Sequence, residues 1–198
     1  VRARARRLLV GRCGEKDDRF VFRAAATRLA SRDYPRLARM AETGRVLATF
    51  TTTRGSFEAE LSPREAPMTV DSFAALARKG FFDGQTIHRV VPDFVVQGGD
   101  PRGDGTGGPG YALRDELNPL QYVRGRIGMA LSGPDTGGSQ WFVTLSRQPH
   151  LDGGYTVFGE VTSGMDVVER IEQNDRLLSV RVREATREAP AGLEPPTR

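Results

Sequence analysis

From Gly44 onward the chain is cut into short apolar runs by loops rich in glycine, proline and aspartate, a punctuation that confines it to a mainly β architecture. Val46 to Thr53 and Phe57 to Leu61 alternate apolar and polar residues at period two, and Arg54-Gly55-Ser56 between them signals a hairpin. Further apolar segments follow at Ile87 to Val91, Phe94 to Val96, Ile127 to Leu131, Trp141 to Leu145 and Tyr155 to Val161, with a last strand over Leu177 to Val182. Only two stretches after Gly44 carry helical spacing. Ala66 to Gly80 places Val70, Phe73, Ala74, Leu76 and Ala77 on one face, with Thr69 or Ser62 as start signals and Gly80 as a stop. Gly164 to Asn174 turns Met165, Val168 and Ile171 inward. Many short strands, two helices and no βαβ alternation predict a closed antiparallel barrel with helices over its ends.

Residues 1–45 have a different texture. They hold 13 basic and 5 acidic side chains, whereas the remainder holds 16 and 20, so the net charge of +4 belongs to this extension. Phe20, Val21, Ala24, Leu29, Leu37 and Met40 recur at three- and four-residue steps and are interrupted at Asp33-Tyr34-Pro35, which predicts two short helices. Such a pair is too short to bury a core by itself; it packs on the following domain or ends a helical repeat. Clustered arginine could neutralise phosphates, but no aromatic-interleaved RNA motif or zinc-finger spacing accompanies it, so a solvated helical face is expected and nucleic acid is not the expected partner. The single cysteine, Cys13, excludes an internal disulfide and is expected to fill space. No run approaches the roughly 18 apolar residues of a membrane span, and the default expectation is a monomeric cytoplasmic protein, with export left open should an upstream leader exist. The domain plan is therefore an extension over 1–45, one globular domain over 46–185 and a frayed Pro-rich tail over 186–198.

Three segments stand in order: IHRVVPDFVVQGGDPRGDGTGGPG, IGMALSGPDTGGSQWFVTL and HLDGGYTVFGEV. Together with APMTVDSFAALA upstream they resemble the signature blocks of the cyclophilins, over roughly Val46 to Arg183. That resemblance implies an eight-stranded closed antiparallel barrel capped by two α-helices, with a groove on its outer face. It also implies peptidyl-prolyl cis/trans isomerase activity without metal, nucleotide or covalent intermediate, acting on proline-containing peptides and on unfolded or folding proteins.

The resemblance places the catalytic arginine at Arg89, after His88. It places the proline slot at Phe94, Val95, Phe142, Leu151 and Tyr155, and a groove glutamine at Gln97. The backbone around Ala130 and Leu131 is expected to pair with the extended substrate. Gln140 and Gly105 line the adjoining wall, and Ser132 and the loop at Gly107 flank a neighbouring pocket. Three positions depart from the family pattern: His150 stands where many members carry tryptophan, Tyr155 where a histidine is frequent, and Leu131 where asparagine is frequent. An imidazole offers less apolar area than an indole, so weakened cyclosporin binding is expected, whereas turnover should survive.

Other chemistries fit the residues less well. His88 and His150 are the only histidines, and without a Cys or carboxylate cluster at ligand spacing a zinc site lacks ligands, so His88 is expected to be a packed, hydrogen-bonded side chain. Ser139 in GGSQW could suggest a hydrolase, with His88 or His150 as base and Asp100 or Asp152 behind it. Trp141, however, occupies the final glycine position of the nucleophile elbow. The glycine-rich run Gly98 to Gly110 lacks the Gly-Lys-Ser/Thr ending of a phosphate loop. The remaining alternative is a proline-peptide scaffold without turnover, against which the joint presence of Arg89, Phe94, Gln97 and Phe142 argues.

Overall fold

The structure, a computed structural model, describes residues 31–186. The first helix expected before Asp33, Cys13 and the tail beyond 186 lie outside the described residues. In chain order the elements are α1 (Tyr34–Thr43), β1 (Gly44–Thr52), β2 (Gly55–Leu61), α2 (Pro67–Arg78), β3 (Gln85–Thr86), β4 (Arg89–Val91), β5 (Val95–Gly98), β6 (Arg126–Met129), β7 (Trp141–Thr144), β8 (Val157–Ser163), α3 (Met165–Glu169) and β9 (Arg176–Thr186).

All strands pair antiparallel in one nine-stranded sheet of order β3-β9-β1-β2-β8-β6-β7-β5-β4. The expected closed barrel of eight strands is therefore corrected to a strongly curled half-barrel of nine. Its two edges, β3 and β4, flank the break at Ile87 and His88, and only β4 falls within the single run expected from Ile87 to Val91. Gln85 and Thr86 pair with β9, Arg89 to Val91 pair with β5, and no ladder joins β3 to β4. At the break, Ile87 still donates to Asp175 O (2.8 Å) and accepts from the Asn174 N–H (2.9 Å), so the chain itself bridges the two edges.

The alternation expected in the first hairpin is present: Val46, Ala48 and Phe50 on β1 and Phe57, Ala59 and Leu61 on β2 are buried. They meet the aromatic rings that fill the curl, with Phe50 stacked on Phe57 at 4.5 Å and edge-on to Trp141 at 5.0 Å. Strand β9 is longer than expected because it pairs with β1 along nearly all of that strand's length, from Gly44↔Thr186 to Thr52↔Leu177. Helix α3 is shorter than the expected 164–174 segment. The Glu172 N–H is taken by the Asp175 carboxylate, and Asn174 adopts φ 75°, so the chain turns instead of continuing as helix.

Pro35 falls in the first turn of α1, where its missing N–H has no helical partner to lose. Leu37 is buried, and Arg36 pairs with the buried Asp71 of α2, so this helix packs on the domain. It runs into β1 through Gly44, whose N–H bonds to Met40 O and where a Cβ would lie 2.4 Å from that oxygen.

Neither Ser62 nor Thr69 caps α2 with its side chain as expected. Its first turn is held by Glu116, 47 residues beyond Thr69, which accepts from the N–H groups of Met68 (2.9 Å) and Thr69 (2.8 Å) and from the Thr69 hydroxyl (2.7 Å). Burial pushes the Glu116 carboxyl above the usual carboxylate range, against the pull of these donors. Glu116→Ala leaves three donors without an acceptor and is expected to cost about 2 kcal/mol. In a domain of this size that is a fall in Tm of ~4–8 °C. Scanning calorimetry checks it, and an unchanged Tm would show that water replaces the cap without loss.

Candidate active site

Strand β7 separates two apolar clusters. Trp141 and Val143 point into the main core, whereas Phe142 points to the outer face. On β5 the same alternation sends Val96 inward and Val95 outward. Register then aligns Arg89 opposite Gln97, Gln97 opposite Phe142, Phe142 opposite Gly128 and Gly128 opposite Val157. One cross-strand row, running over β4, β5, β7, β6 and β8, thus carries a cation, an amide, an aromatic ring, a gap and an apolar end. Facing side chains in such a row lie within contact distance of one another.

Arg89 is exposed at the edge of the sheet. Its Nη1 donates to Gln97 Oε1 at 3.1 Å, and its guanidinium carbon lies 5.4 Å from the Phe94 ring centroid. The Gln97 amide donates to Gln140 Oε1 at 3.0 Å, and the Gln140 amide donates to the carbonyls of Gly105 (3.0 Å) and Gly107 (2.9 Å). Beside this polar chain lies the second apolar cluster. Val95, Phe142 and Leu151 are buried in it, and Phe94, Ala130 and Tyr155 pack on it half-buried. A single patch therefore gathers all the residues expected to grip proline. Tyr155 meets Phe142 edge-on at 6.1 Å.

The other expected residues take varied positions. His150 is exposed on a short 3-10 turn, its ring 5.5 Å from Phe94. Gly105 is exposed in the loop with φ 88°. Leu131 turns its side chain toward Gly137 and the main core, so only its backbone can face the groove. The Ala130 N–H is engaged by the Gln140 carbonyl (3.0 Å), leaving the Ala130 carbonyl as its group for a substrate chain. His88, expected to be hydrogen-bonded, is half-buried with neither ring nitrogen in a well-formed hydrogen bond, although the Gln140 amide lies close enough to favour its charged form weakly. Burial holds its imidazole below the usual range, Asp100 opposing this and Arg89 reinforcing it, so the ring is neutral at pH 7. Ser139 is buried and donates to Gly99 O at 2.7 Å, a structural bond that occupies its hydroxyl.

Sequence reasoning missed Tyr122. It is fully buried, stacks on Phe142 at 5.4 Å, and forms the floor beneath the slot. Among the described residues its hydroxyl has no hydrogen-bond partner, and burial pushes its pKa far above the usual range. It stands in a loop with no strand or helix period, so no local pattern marks it as core.

An outward arginine tethered by an amide beside an aromatic slot is an arrangement suited to a small apolar ring next to a positive donor, and among the described residues no activated nucleophile adjoins it. Comparison with known proteins agrees with that class. Residues 47–189 match the family model described as cyclophilin type peptidyl-prolyl cis-trans isomerase/CLD. Peptidyl-prolyl cis-trans isomerase B of Bacillus subtilis is 51% identical over 127 residues, covering 63% of this chain and 89% of that protein. A peptidyl-prolyl cis-trans isomerase of Helicobacter pylori is 47% identical over 137 residues, covering 67% and 84%. A crystal structure of a cyclophilin type peptidyl-prolyl cis-trans isomerase from Cryptosporidium parvum superposes with a TM-score of 0.67 at 30% identity, covering 70% of this chain and 98% of that one. The chain belongs to the cyclophilin-type peptidyl-prolyl cis-trans isomerase family. It is an enzyme that interconverts the cis and trans forms of X-Pro peptide bonds.

Proposed function

We propose that the row from Arg89 to Phe142 carries out this isomerisation on proline-containing segments of unfolded or folding proteins. Rotation about a peptide bond is opposed by amide resonance, a barrier of about 18–20 kcal/mol, and an uncatalysed X-Pro bond takes tens to hundreds of seconds. In the twisted state the prolyl nitrogen becomes pyramidal and regains a lone pair. A guanidinium held beside it donates to that lone pair and to nothing equivalent in the planar amide, so it stabilises the transition state selectively. The slot of Phe94, Phe142, Leu151 and Tyr155 grips the pyrrolidine ring while the preceding carbonyl swings. Val95 supports the slot from below, and Gln97 keeps Arg89 in place. The observation that carries this assignment is the 3.1 Å bond from Arg89 to Gln97, directly beside the cluster of Phe94 and Phe142. The Cryptosporidium parvum relative was also crystallised in the presence of the dipeptide Ala-Pro, a ligand of the size this slot would take.

Phe142→Ala tests the slot. Burying a pyrrolidine against an aromatic face contributes about 2 kcal/mol, so KM for an Ala-Pro peptide should rise ~30-fold with a smaller change in kcat. NMR exchange spectroscopy with catalytic enzyme measures both. An unchanged KM in a folded Phe142→Ala protein would place the proline elsewhere.

A further inference from the structure

We infer that Asp100 is a positioning residue for catalysis: through the glycine loop 101–107 it sets the direction of the amide chain that holds Arg89. The inference rests on Arg89 being the catalytic group.

Asp100, two residues beyond the end of β5, is 1% exposed, and among the described residues no charged side chain forms an ion pair with it; its hydrogen-bond partners are backbone. It accepts from the N–H of Arg102 at 2.8 Å and of Gly105 at 2.5 Å, and Gly107 adds a third backbone donor. Burial pushes its carboxyl upward, but the three donors outweigh that and hold it below the usual carboxylate range, so it is ionised at neutral pH. The loop closes so tightly on it that a Cβ at Gly107 would lie 1.9 Å from Asp100 Oδ1. Gly105 and Gly107, held against Asp100 in this tight loop, are the same residues that present their carbonyls to Gln140.

A primary amide has a donor end and an acceptor end, and a backbone carbonyl can only accept. Two carbonyls facing Gln140 therefore oblige its NH2 to turn to the loop and its Oε1 to turn to Gln97. Gln97 must then answer with its NH2, which leaves Gln97 Oε1 facing Arg89. Reversing either amide would set a donor against the guanidinium. The direction of the whole chain is thus decided at its buried end, by a carboxylate that touches neither Arg89 nor the slot.

Asp100→Asn puts a donor among backbone donors, and Gln140→Glu puts an acceptor against two carbonyls while keeping the side chain's size. Gly108→Ala is the control, because a Cβ there meets nothing within 4 Å. In the full chain, Asp100→Asn and Gln140→Glu should each lower kcat about tenfold or more with KM within about twofold. They should also merge the separate Arg89 Nη signals, resolved in nitrogen-edited NMR when the guanidinium is held, into one averaged signal. Gly108→Ala should do neither. Wild-type kcat in either folded variant, or a loss of kcat with the Arg89 signals unchanged, overturns the inference. Should Asp100→Asn fail to fold, Asp100→Glu, which keeps the charge but shifts the carboxylate by one methylene, takes its place beside Gln140→Glu, with the same outcomes. If Arg89→Ala retains full turnover, the assignment of Arg89 itself fails, an outcome distinct from a harmless Asp100→Asn.

Discussion

Arg89→Ala is expected to lower kcat/KM for an Ala-Pro peptide by about 10²–10³-fold, the range seen when one preorganised donor to a developing charge is removed. Most of the loss should fall on kcat, because the planar ground state offers no equivalent acceptor. Stability should change by less than ~0.5 kcal/mol, since the side chain is exposed and its contacts are one hydrogen bond to Gln97 and a ring face on Phe94. Arg89→Lys should recover little of the activity. An ammonium lacks the planar fork that allows one nitrogen to bond Gln97 while another faces the substrate. Exchange spectroscopy on proteins with matched thermal unfolding measures this, and turnover within threefold of wild type in Arg89→Ala would remove Arg89 from the mechanism.

Gly128→Ala is the second large effect, and it acts on the fold and the slot together. A Cβ at Gly128 would lie 2.3 Å from Phe142 Cζ, 2.8 Å from Phe142 Cε2 and 2.4 Å from the Tyr122 hydroxyl. Phe142 is 5% exposed and Tyr122 is fully buried beneath it, so neither ring has room to withdraw. Overpacking of this kind costs about 1–3 kcal/mol. A fall in Tm of ~4–10 °C is expected, and KM should rise because the displaced Phe142 ring forms a wall of the slot. Tyr122→Phe removes a hydroxyl that has no partner, so alone it should be neutral or slightly stabilising. Combined with Gly128→Ala it should restore part of the loss by clearing one of the clashing atoms. An additive double mutant would show that the Phe142 ring is the sole obstacle.

Placing the slot residues side by side depended on strand register as much as on residue type. Phe94, Val95, Phe142, Leu151 and Tyr155 could be named from ordered motifs, and the structure gathers them in one cluster. Period-two alternation explains why: it sends Phe142 outward and its neighbours Trp141 and Val143 inward. Leu131 shows the limit of the same reasoning. It lies beside Ala130 in an apolar run, and its side chain still turns into the main core, because the chain has left the β6 ladder by that point. The number of strands was less legible again. One apolar run from Ile87 to Val91 became the bridge between both edges of the sheet, with its neighbours Gln85 and Thr86 pairing to β9, because the ladder breaks at Ile87 and His88.

The amino-acid sequence by itself determined the period of each strand, the amphipathic face of α2 and the motifs around Arg89, since these depend on neighbours a few residues apart. Only the tertiary structure decided that Glu116 caps α2 and that Tyr122 floors the slot. It also decided that the sheet stays an open half-barrel. The physical reason is the same in each case. A cap, a floor or a closed ladder is a hydrogen bond or ring contact between residues brought together by the curl of the sheet, and no local pattern records a partner that arrives from twenty or more residues away.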